Sequence, residues 1–197
     1  MDYEQINKNS IKLIEVLKEG KAYFSEIYEK TKIKSKNNLL KNLNLLTSNR
    51  ILIKEEKKSN TFYSINYLNN LSIAILNLIN QTKFEKLPFN IKKSVLDSIF
   101  ALKPRIAILF GSYAKENYKS NSDVDLLFIS SNEDKKTIKE ISSRYGIKIS
   151  LIFISPKEFD SRNEQIAHIL KTGYPIIGEE YFYDEFRKIW LGNLDKR

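Results

Sequence analysis

The chain has 197 residues, no cysteine and one histidine, and 33 Lys and Arg residues against 24 Asp and Glu give a net charge of +9. Without cysteine there is no disulfide scaffold and no thiolate metal site, and a single histidine disfavours a histidine-rich zinc site or a Ser-His-Asp hydrolase. Hydrophobic residues at 42% and aromatic residues at 12% argue against disorder. No apolar run is long enough to span a bilayer and no signal peptide opens the chain, so we expect a soluble cytoplasmic protein without a membrane partner.

The first third of the chain predicts helices followed by a β-hairpin. Apolar residues recur there at helical spacing, Ser10 is expected to cap the first helix and Gly20 to end it, and two β-prone runs flank a polar turn. The stretch from Lys30 to Asn60 holds nine basic residues and two acidic ones, which concentrates positive charge in this part of the chain. The predicted helices cover residues 10–18, 24–30 and 35–48, and the predicted strands cover 51–53 and 61–65.

Three short helices and a basic hairpin resemble a winged helix-turn-helix domain, and the resemblance spans residues 9–67. It implies that the third helix enters the major groove of DNA with its first residues near base edges, while lysines at the hairpin tip contact phosphates. The alternative is a small domain with a solvated basic face that docks a protein or forms a homodimer. The candidate nucleic-acid-binding residues are Ser35, Lys36, Asn37, Asn38, Lys41, Lys57 and Lys58.

The middle of the chain carries two further apolar sets at helical spacing, separated by the segment Leu87-Pro88-Phe89-Asn90. We interpret the first as a connector or dimerisation helix and expect the second to pack on the sheet that follows. The sequence therefore predicts three parts, namely a winged helix-turn-helix domain over 1–68, a helical connector over 69–103, and an α/β domain with a C-terminal helix over 104–197.

A short motif in the last part has the residues for phosphate and metal chemistry. The apolar strand 105–110 ends at Gly111 and Ser112, and ten residues later Asp123 and Asp125 open a second apolar strand. Residues two apart on a strand share a face, so both carboxylates point the same way and repel each other unless a cation compensates. Mg²⁺ suits such oxygen ligands and is usually completed by substrate phosphates. Glycine allows a phosphate to approach the backbone, and N–H groups of the turn and the serine hydroxyl can donate to it.

The pattern Gly-Ser, ten residues, Asp-x-Asp resembles the DNA polymerase β-like nucleotidyltransferase superfamily, in particular its minimal nucleotidyltransferase branch. The resemblance extends over about 104–181, including the segment from His168 to Tyr181. It implies transfer of a nucleoside monophosphate, expected to be AMP from ATP, to an acceptor hydroxyl. By this resemblance, Mg²⁺ is bound by Asp123 and Asp125. The nucleotide is bound by Gly111, Ser112 and Lys115. The catalytic residues are Asp123, Asp125 and Ser112.

The sequence departs from that superfamily at two places. The expected third carboxylate, on the strand predicted over 147–154, is replaced by Ser150, with Lys148 two residues away on the same face. Lys115 and Glu116 replace the Arg-Gly pair that many minimal nucleotidyltransferases carry, and we considered Glu116 as a substitute carboxylate from the loop. Two outcomes follow. One is an active Mg²⁺-dependent transferase. The other is a DNA-binding regulator whose degenerate domain only senses nucleotide or binds a partner.

These observations predict an α+β protein with an N-terminal winged helix-turn-helix domain, a helical connector and a C-terminal α/β nucleotidyltransferase domain containing a small mixed sheet. In the related branch, such domains occur as antitoxins that adenylylate a helical toxin, which implies a protein acceptor. DNA, an NTP and a helical toxin are therefore the expected partners, and a homodimer stays open. We expect a helix over 158–171 that carries His168, and structural roles for His168, Trp190 and the aromatic segment 181–183.

Overall fold

The computed structural model describes residues 6–18, 20–57 and 60–194, with backbone alone for 192–194. The chain divides into two compact units, the N-terminal unit (residues 1–79) and the C-terminal unit (residues 80–197). The three-part division at residues 68 and 103 stays a prediction. Within the described residues, no helix is long and apolar enough to cross a membrane.

The described part of the N-terminal unit combines helices with a three-stranded antiparallel sheet in the order β1-β3-β2. The three predicted helices and the hairpin are all present, whereas the two-residue strand β1 was not predicted because it is too short to leave a pattern. Fully buried leucines and isoleucines from the helices form its core. The elements are α1 Lys8–Leu17, β1 Ala22–Tyr23, α2 Phe24–Thr31, α3 Lys36–Ser48, β2 Leu52–Lys57 and β3 Asn60–Ile65, followed by α4 Asn70–Glu85, whose last residues belong to the C-terminal unit.

Helix α1 begins earlier than the sequence suggested, because Asn7 rather than Ser10 is its N-cap. The Asn7 side chain accepts hydrogen bonds from the backbone N–H groups of Asn9 and Ser10. The side chain of Ser10 is instead buried and donates to Asn42 Oδ1 at 3.1 Å. The amide of Asn42 in turn donates to the backbone oxygen of Asn38 at 2.8 Å, so the polar groups between α1 and α3 are satisfied.

The C-terminal unit contains a four-stranded mixed sheet in the order β6-β5-β4-β7, which confirms the predicted α+β class with a small mixed sheet. Strand β4 runs antiparallel to β5 and β7, and β5 runs parallel to β6. The elements that follow α4 are α5 Phe89–Leu102, β4 Ile106–Phe110, α6 Gly111–Ala114, β5 Val124–Ile129, α7 Lys135–Tyr145, β6 Ile149–Ile154, α8 Glu164–Thr172, β7 Tyr174–Ile177 and α9 Glu179–Leu194.

The two central strands, β4 and β5, are almost completely buried, and this packing positions the loops at their ends. Ala107, Leu109, Leu126 and Phe128 lie in one apolar cluster with residues of α5, so the second helix of the predicted connector packs on the sheet as expected. Helix α8 is shorter than the predicted helix over 158–171. It starts only at Glu164, because Asn163 caps it with hydrogen bonds from the N–H groups of Gln165 and Ile166.

Candidate active site

The turn after β4 lies directly against the second aspartate of the Asp-x-Asp motif. Phe110 and Asp125 are paired across the antiparallel strands, and Gly111 follows with a positive φ of 69°. A Cβ atom on Gly111 would lie 2.0 Å from Asp125 Oδ2 and 2.8 Å from its Cγ. Only glycine fits this position, because any side chain would collide with the carboxylate and would also strain the backbone. The Gly-Ser turn and the aspartate therefore share one corner of the molecule.

The neighbouring strand β6 supplies a polar or charged partner for each aspartate. Asp125 is paired in parallel register with Ser150, a residue with a polar side chain. Lys148 Nζ lies 2.5 Å from Asp123 Oδ2, and their side chains are 77% and 33% exposed. The sequence pointed to Lys148 and Ser150 only as departures from a pattern. It did not predict the ion pair, which depends on the parallel register of β5 and β6.

Electrostatics links these four side chains into one cluster. Burial raises the pKa of Asp125 above its ordinary value, the Asp123 charge raises it further, and Ser150 and Lys148 oppose the shift. The hydrogen bond to Asp123 and the charge of that carboxylate raise the pKa of Lys148. Lys148 is therefore a cation at neutral pH and partly neutralises the pair of acids.

The acidic groups fit a magnesium ion better than a protein-enclosed metal. Among the described residues, no group of three or more His, Cys, Asp or Glu side chains is placed to hold a metal. Asp123 and Asp125 offer hard oxygen donors at the start of one strand. Two carboxylates completed by water and substrate phosphates are a usual environment for Mg²⁺ in nucleotide-handling sites.

The loop after the turn is folded back on itself, and its two charged side chains, Lys115 and Glu116, have different surroundings. The Asn117 N–H donates to the Ser112 backbone oxygen at 3.1 Å. Lys115, predicted to contact phosphates, is exposed at the end of α6. The Glu116 carboxylate pairs with Lys83 at 2.9 Å, so it does not join the aspartates as the sequence led us to consider.

The candidate nucleic-acid-binding residues of the N-terminal unit are mostly on the surface. Lys36, Asn37 and Lys41 are exposed on the first turns of α3, and the Lys36 ammonium lies 5.8 Å from the centre of the Tyr28 ring. Ser35 is the N-cap of this helix, and its hydroxyl accepts from the Asn38 N–H at 3.4 Å. Their contact with DNA stays a prediction.

The other residues singled out from the sequence lie on the hairpin, on α8 and at the start of α9. Lys57 is exposed at the end of β2, and Lys58 lies outside the described residues. His168 is exposed on α8. In the 181–183 segment, Phe182 and Tyr183 are buried, and the Arg105 guanidinium lies 3.7 Å from the centre of the Tyr181 ring.

Comparison with known proteins found a family match within the C-terminal unit, which contains the Gly-Ser turn and both aspartates. The model of the family described as nucleotidyltransferase domain matches residues 101–171. Three curated proteins of Methanocaldococcus jannaschii are similar. "Putative protein adenylyltransferase MJ1305" is 43% identical over 44% of this chain and 65% of its own length. "Putative protein adenylyltransferase MJ1547" is 33% identical over 46% of this chain and 71% of its own length. "Putative protein adenylyltransferase MJ0141" is 39% identical over 34% of this chain and 72% of its own length. The chain thus spans slightly less than two thirds of the first relative.

Two solved structures also show distant likeness. "Crystal structure of the toxin-antitoxin with AMP-PNP" is matched with a TM-score of 0.38 at 16% identity, over 53% of this chain and 90% of that one. "Structure of TrmBL2, an archaeal chromatin protein, shows a novel mode of DNA binding" is matched with a TM-score of 0.30 at 14% identity, over 77% of this chain and 64% of that one. Scores this low carry no functional weight. The sequence relatives and the matched family model, which covers the Gly-Ser turn and both aspartates, show that the chain belongs to the nucleotidyltransferase-domain family.

Proposed function

We propose that this protein transfers AMP from ATP to a hydroxyl group of a protein in a reaction that requires Mg²⁺. The observation that carries the proposal is the contact between the Gly111 backbone and the Asp125 carboxylate, with Asp123 two residues away. This contact supports a single cleft in which a phosphate chain and its metal ion meet. The three relatives each carry the description "Putative protein adenylyltransferase", which supports a protein as the acceptor.

The roles of the residues follow from their chemistry. Asp123 and Asp125 would hold Mg²⁺, which when bound neutralises negative charge on the reacting phosphate and on the departing pyrophosphate. The backbone N–H groups of the turn at Gly111 and Ser112 and the Ser112 hydroxyl would hold the β- and γ-phosphates, with Lys115 adding positive charge. The acceptor oxygen forms a bond to the α-phosphorus, and the bond between the α-phosphorus and the bridging oxygen to the β-phosphate breaks.

Neither residue that lies beside the aspartates, Ser150 or Lys148, can remove the proton from the acceptor hydroxyl. Ser150 cannot act as a useful base near neutral pH, and Lys148 is held as a cation by Asp123. We therefore propose that the rate depends on positioning and electrostatic stabilisation, with the acceptor proton passing to water.

Labelled ATP tests the proposal directly. The full-length protein is incubated with α-labelled ATP, Mg²⁺ and candidate acceptors, beginning with a helical toxin encoded beside it if its genome has one. We expect label on the acceptor, release of pyrophosphate, and loss of both in Asp125→Asn. Absence of label on every acceptor, with no difference between wild type and Asp123→Ala, would contradict the proposal.

A second candidate function is nucleotide sensing without transfer, and Ser150 at the third carboxylate position favours it. Calorimetry with Mg²⁺ and ATP separates the two candidates when combined with the labelling assay. Binding of ATP without label on any acceptor would favour the sensor, and binding together with transfer would favour the enzyme.

For the N-terminal unit we propose a winged helix-turn-helix domain that binds DNA, with α3 in the major groove. The exposed Lys36, Asn37 and Lys41 at the start of that helix support this proposal. A gel-shift series with DNA from the protein's own promoter region, repeated at rising salt, tests it. Specific binding should persist at moderate salt, whereas equal weak binding to any polyanion would leave only a basic surface.

A further inference from the structure

We propose that Lys148 is an internal counter-ion of the active site, which a divalent ion must displace from Asp123, and that the site accepts one divalent ion at a time. The inference rests on the proposed function only in placing the metal at Asp123 and Asp125. It assigns Lys148 a positioning role, because its side chain acts on the metal ligand and not on the reacting atoms.

The contact geometry supports this assignment. Lys148 Nζ lies 2.5 Å from Asp123 Oδ2, on the carboxylate that would otherwise face the metal. An ammonium at this distance and a divalent ion cannot share the same oxygen without strong repulsion. Binding of the ion therefore requires the Lys148 side chain to leave Asp123.

The Lys148 side chain is free to make this movement. It is 77% exposed, and lysine carries its charge on a flexible four-carbon stem. Exposed ion pairs of this kind stabilise a protein only weakly, so a divalent ion that gains two carboxylate ligands can displace the lysine. The lysine is therefore a modest competitor that tunes metal affinity and does not block the site.

The balance of charge limits the number of ions. Asp123 and Asp125 contribute two negative charges, Lys148 contributes one positive charge, and Ser150, the partner of Asp125 on β6, contributes none. No third acidic or histidine side chain joins the aspartates within the part of the chain that the structure describes. Two divalent ions would bring four positive charges to a cluster whose net charge is about −1, so the protein alone favours a single ion.

The test measures Mn²⁺ binding to the full-length protein without nucleotide, using the electron paramagnetic resonance signal of free Mn²⁺ and calorimetry. We expect one ion per chain and a dissociation constant roughly two- to fivefold lower in Lys148→Met, the range that an exposed ion pair allows. Lys148→Arg keeps the competing charge and should bind Mn²⁺ like the wild type. Lys157→Met, which removes an exposed lysine after β6, is the matched control for a general loss of positive charge and should leave the affinity unchanged.

Three results would overturn the inference. These are unchanged or weaker Mn²⁺ binding in Lys148→Met, an equal gain in Lys157→Met, and two ions per chain in the wild type. Ser150→Asp adds the missing acid beside Asp125 and should strengthen Mn²⁺ binding more than Lys148→Met does, so a loss of affinity in that variant would also count against it. Because no assay here measures transfer, a protein that never labels an acceptor can still support the role of Lys148, and an active transferase can still refute it.

Discussion

The start of helix α3 and the corner between β4 and β5 are both polar, but they arrange their charges in opposite ways. On α3, Lys36 and Lys41 are exposed, and the Lys36 ammonium lies near an aromatic ring. At the corner, Asp123 forms an ion pair with Lys148, and Asp125 lies in register with Ser150 of the adjacent strand. The first arrangement suits a large polyanion that approaches from outside. The second suits a small ligand that enters and replaces partners already in place.

This difference sets what each region requires of the protein. A basic surface tolerates changes in position, because phosphates along DNA are many and interchangeable. The corner has no such tolerance, since an added carbon atom at Gly111 would lie 2.0 Å from a carboxylate oxygen. The most damaging substitutions should therefore be found at the corner, and the mildest on the surface or in pairs distant from both regions.

The largest effect is expected from Asp125→Asn. Loss of the charge removes a metal ligand and the group that faces the Gly-Ser turn, so transfer in the labelled-ATP assay should fall by about two orders of magnitude or more. Asp134→Asn is the control, because Asp134 caps α7 and asparagine caps a helix equally well. A similar fall in the control would show that the assay reports damage to the fold and not to the corner.

The next largest effect is expected from Gly111→Ala, compared with Gly146→Ala. Both glycines have positive φ, 69° and 62°, but a Cβ at Gly146 would meet nothing within 4 Å. Each alanine should lower the free energy of unfolding by about 1–2 kcal/mol through backbone strain, and the collision with Asp125 should make the loss larger for Gly111→Ala. Only Gly111→Ala should also abolish binding of Mg²⁺ and ATP in calorimetry. Equal binding by the two variants would show that the contact with Asp125 is not needed for the site.

A smaller effect is expected on the basic surface. Charge reversal of both lysines, Lys36→Glu with Lys41→Glu, should weaken specific DNA binding roughly tenfold, because it places two negative charges on the helix proposed to enter the major groove. Lys8→Glu, an exposed change on α1, is the matched single-charge control and should have less effect than Lys36→Glu alone. Equal weakening by these two single changes would reduce the proposed interface to nonspecific attraction.

The smallest effect is expected for a paired acid outside both regions. Tyr145 donates a hydrogen bond to Asp97 at 2.6 Å and, together with Lys93, lowers the pKa of that carboxyl below its ordinary value of 3.8. A lowered native pKa means that the bond stabilises the fold above pH 3.8, and that this contribution is lost as the pH falls through the native value. Asp97→Asn should therefore lower the Tm at pH 7 but not in strong acid.

Tyr145→Phe provides the check on this pH dependence. Removal of the donor should reproduce most of the loss in Tm at pH 7, and the double variant should lose less than the sum of the two single changes. Additive losses would show that the two side chains do not act as a pair.

The sequence predicted the corner well because its parts are close along the chain. Gly111 and Asp125 flank a single loop, and the apolar residues on each side identify the two strands that bring them together. The resemblance placed Ser150 at the third carboxylate position, and Ser150 does pair with Asp125 in register. The sequence could not give the ion pair between Lys148 and Asp123, because that contact depends on a parallel pairing that a crossover helix establishes. Spacing alone suggested Glu116 as a nearby acid, whereas a positive φ of 57° there and an ion pair with Lys83 direct it elsewhere.

Position in the sheet also determines how easily the site could change during evolution. Ser150 belongs to β6, an edge strand with one neighbour in the described sheet, and Lys148 directly precedes it. Asp125 belongs to the central strand β5, and Gly111 directly follows the central strand β4. Substitutions at the margin disturb fewer packed atoms than substitutions at the centre. Substitutions at Lys148 or Ser150 could therefore alter metal preference with little damage to packing, whereas a change at Gly111 must be accommodated by the carboxylate of Asp125.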